Sequence, residues 1–380
     1  MSIRDLAEMM TQLFPEKGLK VIPFEQTTDT NYLKSNISRN CPDISKIKTL
    51  GWEPYFSVID GFRRTVLCYV TNEIEDMKIN EVKKEFLAGK ISKQEFIKNM
   101  HCIHSHLFEY AEYLKDTDIS GIEIIDGKVI MTSRSGGIKM LVDKDDERVT
   151  PIETLNFGEY ETEELSFIAN YIRKHAGPEF TVLDIGGNIG WYSINLAKAF
   201  PKINIHTFEP IPKTFGYLKS NIELNNIKNV KINNFGLSDK EKDITFYYYK
   251  EGSGNASLTN LSGSESVEEI NTRVYRVDDY VSQNKLHIDF IKCDVEGAEL
   301  FVFKGASATL KKQKPVVLTE MLRKWAEKFG YHPNDIIAYF TKLGYECFTI
   351  SGKSLKPFHK VDEYTLETNF VFIHPDKLKL

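Results

Sequence analysis

The stretch LDIGGNIGWYS, Leu183–Ser193, joins an apolar run to a helical pattern and carries three glycines within five positions. A glycine-rich turn after the first strand of a parallel sheet lets backbone N–H groups and a helix N-terminus approach a ligand without obstruction by Cβ atoms. A tight turn with no ligand is the simpler interpretation. The neighbouring strands decide between the two.

Seven apolar runs from residue 180 onward alternate with helical patterns. They span residues 180–184, 203–209, 229–234, 288–294, 315–320, 345–350 and 369–374. Continuous apolar runs suit strands that are covered on both faces, and intervening helices suit parallel crossovers. The runs predict an α/β fold, a doubly wound and mostly parallel seven-stranded Rossmann-like sheet. A polar segment joins the last two runs, so we expect the final strand to be antiparallel, which is typical of methyltransferases.

Three regions are predicted along the chain. Residues 1–118 form an N-terminal extension with a helical hairpin over residues 80–113, broken at Gly89, and the extension is a candidate surface for homo-oligomerisation. Residues 119–157 alternate as a β-hairpin or meander that we expect to cover one edge of the sheet, and residues 158–380 form the α/β domain. The Gly/Ser-rich stretch 251–269 within that domain has the length of a functional loop.

Composition excludes several classes of partner. Lys and Arg number 49 against 54 Asp and Glu, without a basic stripe, so no nucleic acid is expected as a partner. No apolar run approaches the roughly 20 residues of a membrane span. The five cysteines are scattered without a C-x-x-C pair, and we expect buried thiols in a reducing compartment, hence a cytoplasmic protein. Three histidines of the helical hairpin are expected to be solvated, not metal-bound: His101, His104 and His106.

The glycine spacing discriminates between two cofactors. The dinucleotide fingerprint G-x-G-x-x-G would require glycine where this chain has Asn188 and Trp191. The pattern present is D-x-G-x-x-x-G, with Asp184 at the end of the strand. An acid is poorly placed beside a pyrophosphate but well placed beside the ammonium group of S-adenosylmethionine, whose methionyl end also carries a carboxylate. The pattern therefore favours S-adenosylmethionine over NAD.

Further acids follow the predicted strands at the edge where ligands bind in open α/β sheets. Glu209 ends the second run, and it is either a surface acid or the group that accepts hydrogen bonds from both ribose hydroxyls. Asp294 and Glu296 follow the fourth run, and Glu320 ends the fifth, so we expect them to face the methyl acceptor. Glu299 is assigned to the first turn of the next helix, where an acid stabilises the helix dipole.

Five stretches together resemble the FkbM family of S-adenosylmethionine-dependent methyltransferases: DIGGNIGWYS, FEPIPKTFGYLKSNIELNN, VDDY, KCDVEGAELFVFKGASATL and PVVLTE. The resemblance covers about residues 158–375 and implies a class I methyltransferase fold and O-methylation, commonly of a hydroxyl on a sugar or other natural product. It assigns eight residues to the cofactor: Tyr160, Asp184, Gly186, Asn188, Gly190, Ser193, Glu209 and Asn225. It assigns the acceptor side to Asp294, Glu296 and Glu320. Gly187 stands where an alanine is usual, and we expect it to loosen the turn slightly.

A second resemblance covers residues 35–70, SNISRNCPDISKIKTLGWEPYFSVIDGFRRTVLCYV, which are similar to the carboxyl-terminal segment of nucleotide-sugar epimerases and dehydratases. The glycine-rich domain of those enzymes is missing, so the segment either packs against the rest of the chain or helps to hold a nucleotide-sugar. Together the two resemblances predict an O-methyltransferase for a sugar hydroxyl, on a nucleotide-activated sugar of a surface-polysaccharide (capsule) pathway.

Alternatives remain open at this point. The proton of the acceptor hydroxyl passes to Asp294 or Glu296, or a divalent cation held by Asp294 and Glu320 polarises the hydroxyl instead. The rival functions are an O-methyltransferase of a non-sugar natural product, an oxidoreductase or epimerase-type protein for nucleotide-sugars, and a non-catalytic module that binds the cofactor.

Overall fold

The structure is a computed structural model that describes residues 78–147, 150–177, 179–248, 268–352 and 354–378, with the single residues 8, 11, 20 and 21. The epimerase-like segment 35–70 and residues 251–267 of the Gly/Ser-rich stretch lie outside the described residues. The chain divides into two units, residues 1–108 and 109–380. Among the helices of the described ranges, none is long and apolar enough to cross a membrane.

Two helices precede the sheets, α1 (Ile79–Leu87) and α2 (Lys93–Tyr113). Gly89 lies between them with a φ of +68°. Ser92 and Glu95 form a reciprocal capping box at the start of α2, because the Glu95 carboxylate accepts the Ser92 N–H at 2.9 Å and the Ser92 hydroxyl accepts the Glu95 N–H at 3.1 Å. Local sequence therefore explains where the second helix begins.

Helix α2 buries none of its residues. Its three histidines are accordingly exposed: His101, His104 and His106. Cys293 and Cys347 are buried thiols, as expected, but Cys102 is exposed. The expectation of a buried thiol is wrong for Cys102 because it lies on this exposed helix.

The second unit contains three sheets. Its strands are β1 (Ile119–Ile125), β2 (Lys128–Ser133), β3 (Lys139–Leu141), β4 (Thr181–Ile185), β5 (Asn204–Phe208), β6 (Val230–Asn233), β7 (Gly236–Ser238), β8 (Lys242–Tyr248), β9 (Glu268–Arg276), β10 (Phe290–Cys293), β11 (Val316–Glu320), β12 (Glu346–Ser351), β13 (Ser354–Pro357) and β14 (Asn369–Ile373). Its helices are α3 (Thr150–Phe157), α4 (Thr162–His175), α5 (Trp191–Ala199), α6 (Pro212–Leu224), α7 (Val277–Gln283), α8 (Glu299–Gly305), α9 (Ser307–Gln313), α10 (Arg323–Lys328), α11 (Pro333–Lys342) and α12 (Pro375–Leu378).

The large sheet has the strand order β13–β12–β14–β11–β10–β4–β5–β6. Strands β6, β5, β4, β10 and β11 pair in parallel, and β14 inserts antiparallel between β11 and β12. All seven predicted runs are strands of this sheet, and the antiparallel final strand is confirmed. An eighth strand, β13, is added at the edge as a short hairpin on β12. The doubly wound, Rossmann-like class I fold is thereby present.

Both faces of the sheet are covered, which explains the continuous apolar runs. Every residue of β4 is buried. Val182 and Phe290 belong to the core on one face, and Leu183 and Ile291 belong to the core on the other. Alternate residues of the central strands thus enter two different cores.

The meander β1–β2–β3 packs against helix α6 through two amide side chains. The Asn221 carbonyl oxygen accepts the Leu141 N–H at 2.9 Å, and the Asn225 carbonyl oxygen accepts the Lys139 N–H at 2.9 Å. Met131 and Met140 of the meander join the same core as β4. The meander therefore covers a helix beside the sheet and is part of the second unit.

We expect Phe340→Ala to lower the free energy of unfolding by about 3–5 kcal/mol, because a fully buried aromatic side chain is lost and leaves a cavity. The Phe340 ring is 0% exposed and stacks on Phe372 at 4.1 Å between ring centroids. Urea denaturation measures the change. Leu366→Ala, at a side chain that is 90% exposed, is the matched control and should change stability little. Equal small effects of both variants would contradict this core assignment.

Candidate active site

A cavity opens at the carboxyl ends of β4, β5 and β10. Six of the predicted site residues line it: Tyr160, Gly186, Asn188, Glu209, Asp294 and Glu296. Parallel strands bring their carboxyl ends to one edge of the sheet, so residues up to 136 positions apart in the chain meet here, from position 160 to position 296. Asp184, Gly190 and Ser193 lie behind the turn and do not line the cavity.

The glycine turn, which follows β4 and contains Gly186, Gly187 and Gly190, is in close contact with its surroundings. Gly186 has a φ of +79°, and a Cβ atom there would overlap the carbonyl oxygen of Asp294. A Cβ atom on Gly187 would overlap the hydroxyl of Thr207. Gly187 therefore accommodates a neighbouring side chain in this protein, where the sequence suggested only a looser turn.

Asp184, in β4, is a buried acid beside the glycine turn. The side chain is 1% exposed, and its Oδ2 atom accepts a hydrogen bond from Ser193 Oγ at 2.6 Å. Its Oδ1 atom lies 3.9 Å from the Lys292 ammonium and has no hydrogen-bond partner among the described residues. Ser193 is completely buried, so its role is to orient Asp184.

Glu209 ends β5 and faces the turn. Its Oε2 atom accepts the Asn188 N–H at 3.1 Å, and its Oε1 atom accepts the Ile211 N–H at 2.8 Å. Burial raises the pKa of Glu209 to about 7, although these two hydrogen bonds favour the ionised form. The carboxyl group therefore titrates near neutral pH while it helps to hold the turn.

Asn225 lies away from the cavity. Its amide nitrogen donates to the Lys139 carbonyl at 2.6 Å, and its carbonyl oxygen accepts the Lys139 N–H. Both polar atoms of the side chain are thus used to hold strand β3. The structure does not bring Asn225 together with the other residues assigned to the cofactor.

Three acids form a cluster at the ends of β10 and β11, and two of them, Asp294 and Glu296, line the cavity, whereas Glu320 does not. Carboxylate oxygens of Asp294, Glu296 and Glu320 all lie within 4.8 Å of one another, a spacing that suits a cation with oxygen ligands. Burial, and then the carboxylates of Asp294 and Glu320, raise the pKa of Glu296 well above its usual range. Burial, and then Asp294, raise the pKa of Glu320 to about 9.

Lys292 is a functional candidate that the sequence reasoning missed. The side chain is 8% exposed, and its ammonium lies 3.3 Å from Asp294 Oδ2 and 3.3 Å from the Gly186 carbonyl oxygen. Burial favours the neutral amine, but the carboxylates of Asp294 and Asp184 outweigh it and hold the pKa of Lys292 above its usual value. A lysine inside an apolar run and two positions before an acid is the signal that could have revealed it.

Glu161 is a second residue that the sequence reasoning missed, although it directly follows Tyr160, which the resemblance assigns to the cofactor. It lines the cavity with a φ of +46° and begins helix α4. Burial raises its pKa. The adjacent Tyr160 meets the Trp191 ring edge-on, with ring centroids 6.1 Å apart. Tyr160 therefore lies in the cavity, together with other residues that the resemblance assigns to the cofactor.

Unpaired polar atoms around the turn test whether S-adenosylmethionine fits. The side-chain oxygen of Asn188, Oδ1, and the indole N–H of Trp191 are buried without a hydrogen-bond partner among the described residues. A buried polar group left unpaired costs about 1–3 kcal/mol, so such groups indicate a missing ligand. A ligand with both an ammonium and a carboxylate offers a donor and an acceptor. The residues present therefore fit its methionyl end.

Residues 184–347 match the methyltransferase FkbM domain. Over these residues the chain is similar to that family. "Methyltransferase 1" of Beauveria bassiana is 30% identical to it over 142 residues, 33% of this chain and 57% of that protein. "2-O-methyltransferase NoeI" of Sinorhizobium fredii is 30% identical over 152 residues, 36% of this chain and 61% of that protein. "Hexuronic acid methyltransferase AglP" of Haloferax volcanii is 26% identical over 152 residues, 40% of this chain and 60% of that protein. The chain thus spans less than two thirds of the length of these relatives.

Two acids within the matched residues 184–347 have structural roles. Glu299 accepts the N–H groups of Val295 at 3.2 Å and Gly297 at 3.0 Å, so its assignment to the helix start is confirmed. Asp278, in the motif VDDY, accepts the N–H groups of Ala308 at 2.9 Å and Thr309 at 2.8 Å and thereby caps helix α9. These motif acids stabilise helix ends and do not line the cavity.

We expect Gly186→Ala to destabilise the FkbM domain by about 3 kcal/mol or more, because overlap with the Asp294 carbonyl adds to the strain of a left-handed backbone. Gly216→Ala is the control, since this glycine lies within helix α6 with open space around its Cβ position. That change should stabilise by about 0.5–1 kcal/mol. Thermal or urea denaturation measures both. A tolerated Gly186→Ala would show that the two turns are not in contact.

Proposed function

We propose that the chain transfers a methyl group from S-adenosylmethionine to a hydroxyl oxygen of an acceptor. The proposal rests on the observation that two separate groups of acidic residues line one cavity. Glu209 and the glycine turn form the first side, and the acids around Asp294 form the second. The FkbM domain over residues 184–347 supports the same activity.

The proposed reaction is a single in-line displacement. The acceptor oxygen bonds to the methyl carbon, the carbon–sulfur bond breaks, and its electron pair stays on sulfur as a neutral thioether. S-adenosylmethionine supplies the reactive methyl group, and the protein aligns the two partners and excludes water. The hydroxyl proton must leave during this step, and a nearby carboxylate is the group to accept it.

Asp294 is the proposed proton acceptor. It lines the cavity, and its Oδ2 atom lies 3.3 Å from the Lys292 ammonium. Burial raises the pKa values of Glu296 and Glu320, which favours the protonated form of both when no cation is bound. A divalent cation held by the three acids would instead polarise the hydroxyl, and the acids are close enough together for this.

The proposed acceptor is a sugar hydroxyl, on a nucleotide-activated sugar of a surface-polysaccharide pathway. The proposal draws on the sequence resemblance suggested for residues 35–70, to the carboxyl-terminal end of nucleotide-sugar epimerases, and on one relative that is named as a hexuronic acid methyltransferase. We place the reaction in the cytoplasm, because the cysteines of the described residues are free thiols.

Transfer from methyl-labelled S-adenosylmethionine to a panel of GDP-, UDP-, CDP- and dTDP-sugars tests the activity and the acceptor class together. At least one nucleotide-sugar should gain the label, and the free sugar should be markedly poorer. Methylation of a polyketide or peptide while every nucleotide-sugar is inert would overturn the acceptor class. Calorimetry that detects NAD but not S-adenosylmethionine would overturn the activity.

The affinity for S-adenosylmethionine should rise with pH. Glu209, with a pKa of about 7, is mainly protonated at pH 6 and mainly ionised at pH 8. Only the ionised form accepts two ribose hydroxyl hydrogen bonds in addition to its N–H contacts, so the affinity should increase about tenfold across this range. Calorimetry at the two pH values measures the change.

Glu209→Gln is the control for this pH dependence, because glutamine keeps the shape of the side chain and does not titrate. The variant should bind more weakly at pH 8 and lose the contribution of Glu209 to the slope. Any slope that remains belongs to other groups, including the amino group of the ligand. An identical slope in the variant would remove Glu209 from the cofactor site.

Asp294→Asn should lower turnover by about 10²- to 10⁴-fold at saturating cofactor, because the general base is lost. Glu346→Gln, at an exposed position on β12 of the same sheet, is the control and should retain full turnover. Methyl transfer is measured with and without a chelator. Full activity of Asp294→Asn would exclude this carboxylate as the base, and loss of wild-type activity with chelator would favour the cation.

A further inference from the structure

Apart from one lysine, every acidic or basic side chain that lines the cavity within the described residues is an acid. Four acids line it within the described part of the chain: Glu161, Glu209, Asp294 and Glu296. Lys292 is the one basic residue among the described residues that line it. The potential inside the cavity therefore depends on how this single cation is placed.

Lys292 is fixed between the two sides of the site. It lies in β10, directly opposite Asp184 in the register with β4. Its ammonium lies 3.3 Å from Asp294 Oδ2, 3.9 Å from Asp184 Oδ1 and 3.3 Å from the Gly186 carbonyl oxygen. The Tyr192 ring lies 4.8 Å from it. One cation therefore compensates an acid below the glycine turn and an acid of the acceptor side.

A charge in a water-poor cavity acts strongly on ligands that differ in charge. The interaction of two unit charges scales inversely with the local dielectric constant, and little solvent screens it here because Lys292 is 8% exposed. A methyl donor with a sulfonium and its neutral thioether product differ by one charge and one methyl group. They are a matched pair for sensing this potential.

We propose that Lys292 sets how strongly the cavity prefers a cationic ligand over a neutral ligand of nearly the same shape, by compensating Asp184 and Asp294. The inference rests on the proposed function, because S-adenosylmethionine and S-adenosylhomocysteine are that pair. The positive charge of the sulfonium disperses as the methyl group leaves, so a strongly negative cavity would stabilise the bound donor more than the transition state. Lys292 limits that unproductive stabilisation.

The test is the ratio of the dissociation constants of S-adenosylhomocysteine and S-adenosylmethionine, measured by calorimetry with a chelator present. Lys292→Gln keeps polar contacts but removes the charge, and should shift the ratio about tenfold toward the cationic donor. Asp294→Asn removes an opposite charge and should shift it in the other direction by a similar factor. The double variant should return close to the wild-type ratio.

Two further variants separate charge from structure. Lys292→Arg retains the charge and should leave the ratio unchanged. Lys231→Gln changes an exposed lysine on β6, which donates to Asn284 Oδ1 at 2.7 Å outside the cavity, and should also leave it unchanged. If Lys292→Gln fails to fold, Lys292→Met is the second neutral variant. If the role of Lys292 is purely structural, its neutral variants should bind both ligands more weakly by the same factor, and the ratio of the dissociation constants should stay constant.

A constant ratio in the neutral Lys292 variants would overturn the inference while leaving the proposed function intact. Shifts of the same sign in Lys292→Gln and Asp294→Asn would overturn it as well, since opposite charges must act in opposite directions. A wild-type protein that binds neither ligand would overturn the proposed function and this inference with it. The two failures are therefore distinguishable.

Discussion

The contact between the two turns that follow β4 and β10 is the constraint on which the site depends. The Asp294 N–H donates to the Ile185 carbonyl at 3.0 Å, which extends the pairing of the two strands by one step. The Asp294 carbonyl oxygen then occupies the space that a Cβ atom on Gly186 would need. The proposed cofactor side and the proposed acceptor side are consequently in direct contact at the centre of the sheet, on two adjacent strands.

The same arrangement concentrates acids, and the protein compensates them in different ways. Hydrogen bonds from backbone N–H groups hold Glu209 and Glu299. Asp184 and Asp294 share the buried Lys292 cation. Burial and neighbouring carboxylates raise the pKa values of Glu296 and Glu320, which favours their protonated forms. The acids of this one region are thus compensated by different partners.

This division links the electrostatics to the proposed chemistry. A methyl transfer from a sulfonium to a hydroxyl removes a positive charge from the donor and a proton from the acceptor. A site for this reaction needs one ionised carboxylate beside the acceptor and no excess negative charge around the donor. Lys292, placed between Asp184 and Asp294, brings one positive charge close to both acids.

The sequence by itself determined the fold and most of the cavity. Apolar runs covered on both faces revealed the seven strands, and the order of glycines and acids at their ends brought Gly186, Glu209 and Asp294 to one edge, because parallel strands end at the same edge. Three facts depended on tertiary structure: the use of Asn225 to hold β3, the contact of Gly187 with Thr207, and the burial of Lys292 between two acids. Each of these facts depends on contacts between side chains of elements that are distant in the chain. A single sequence gives the spacing of residues along the chain but not the distances between them in space.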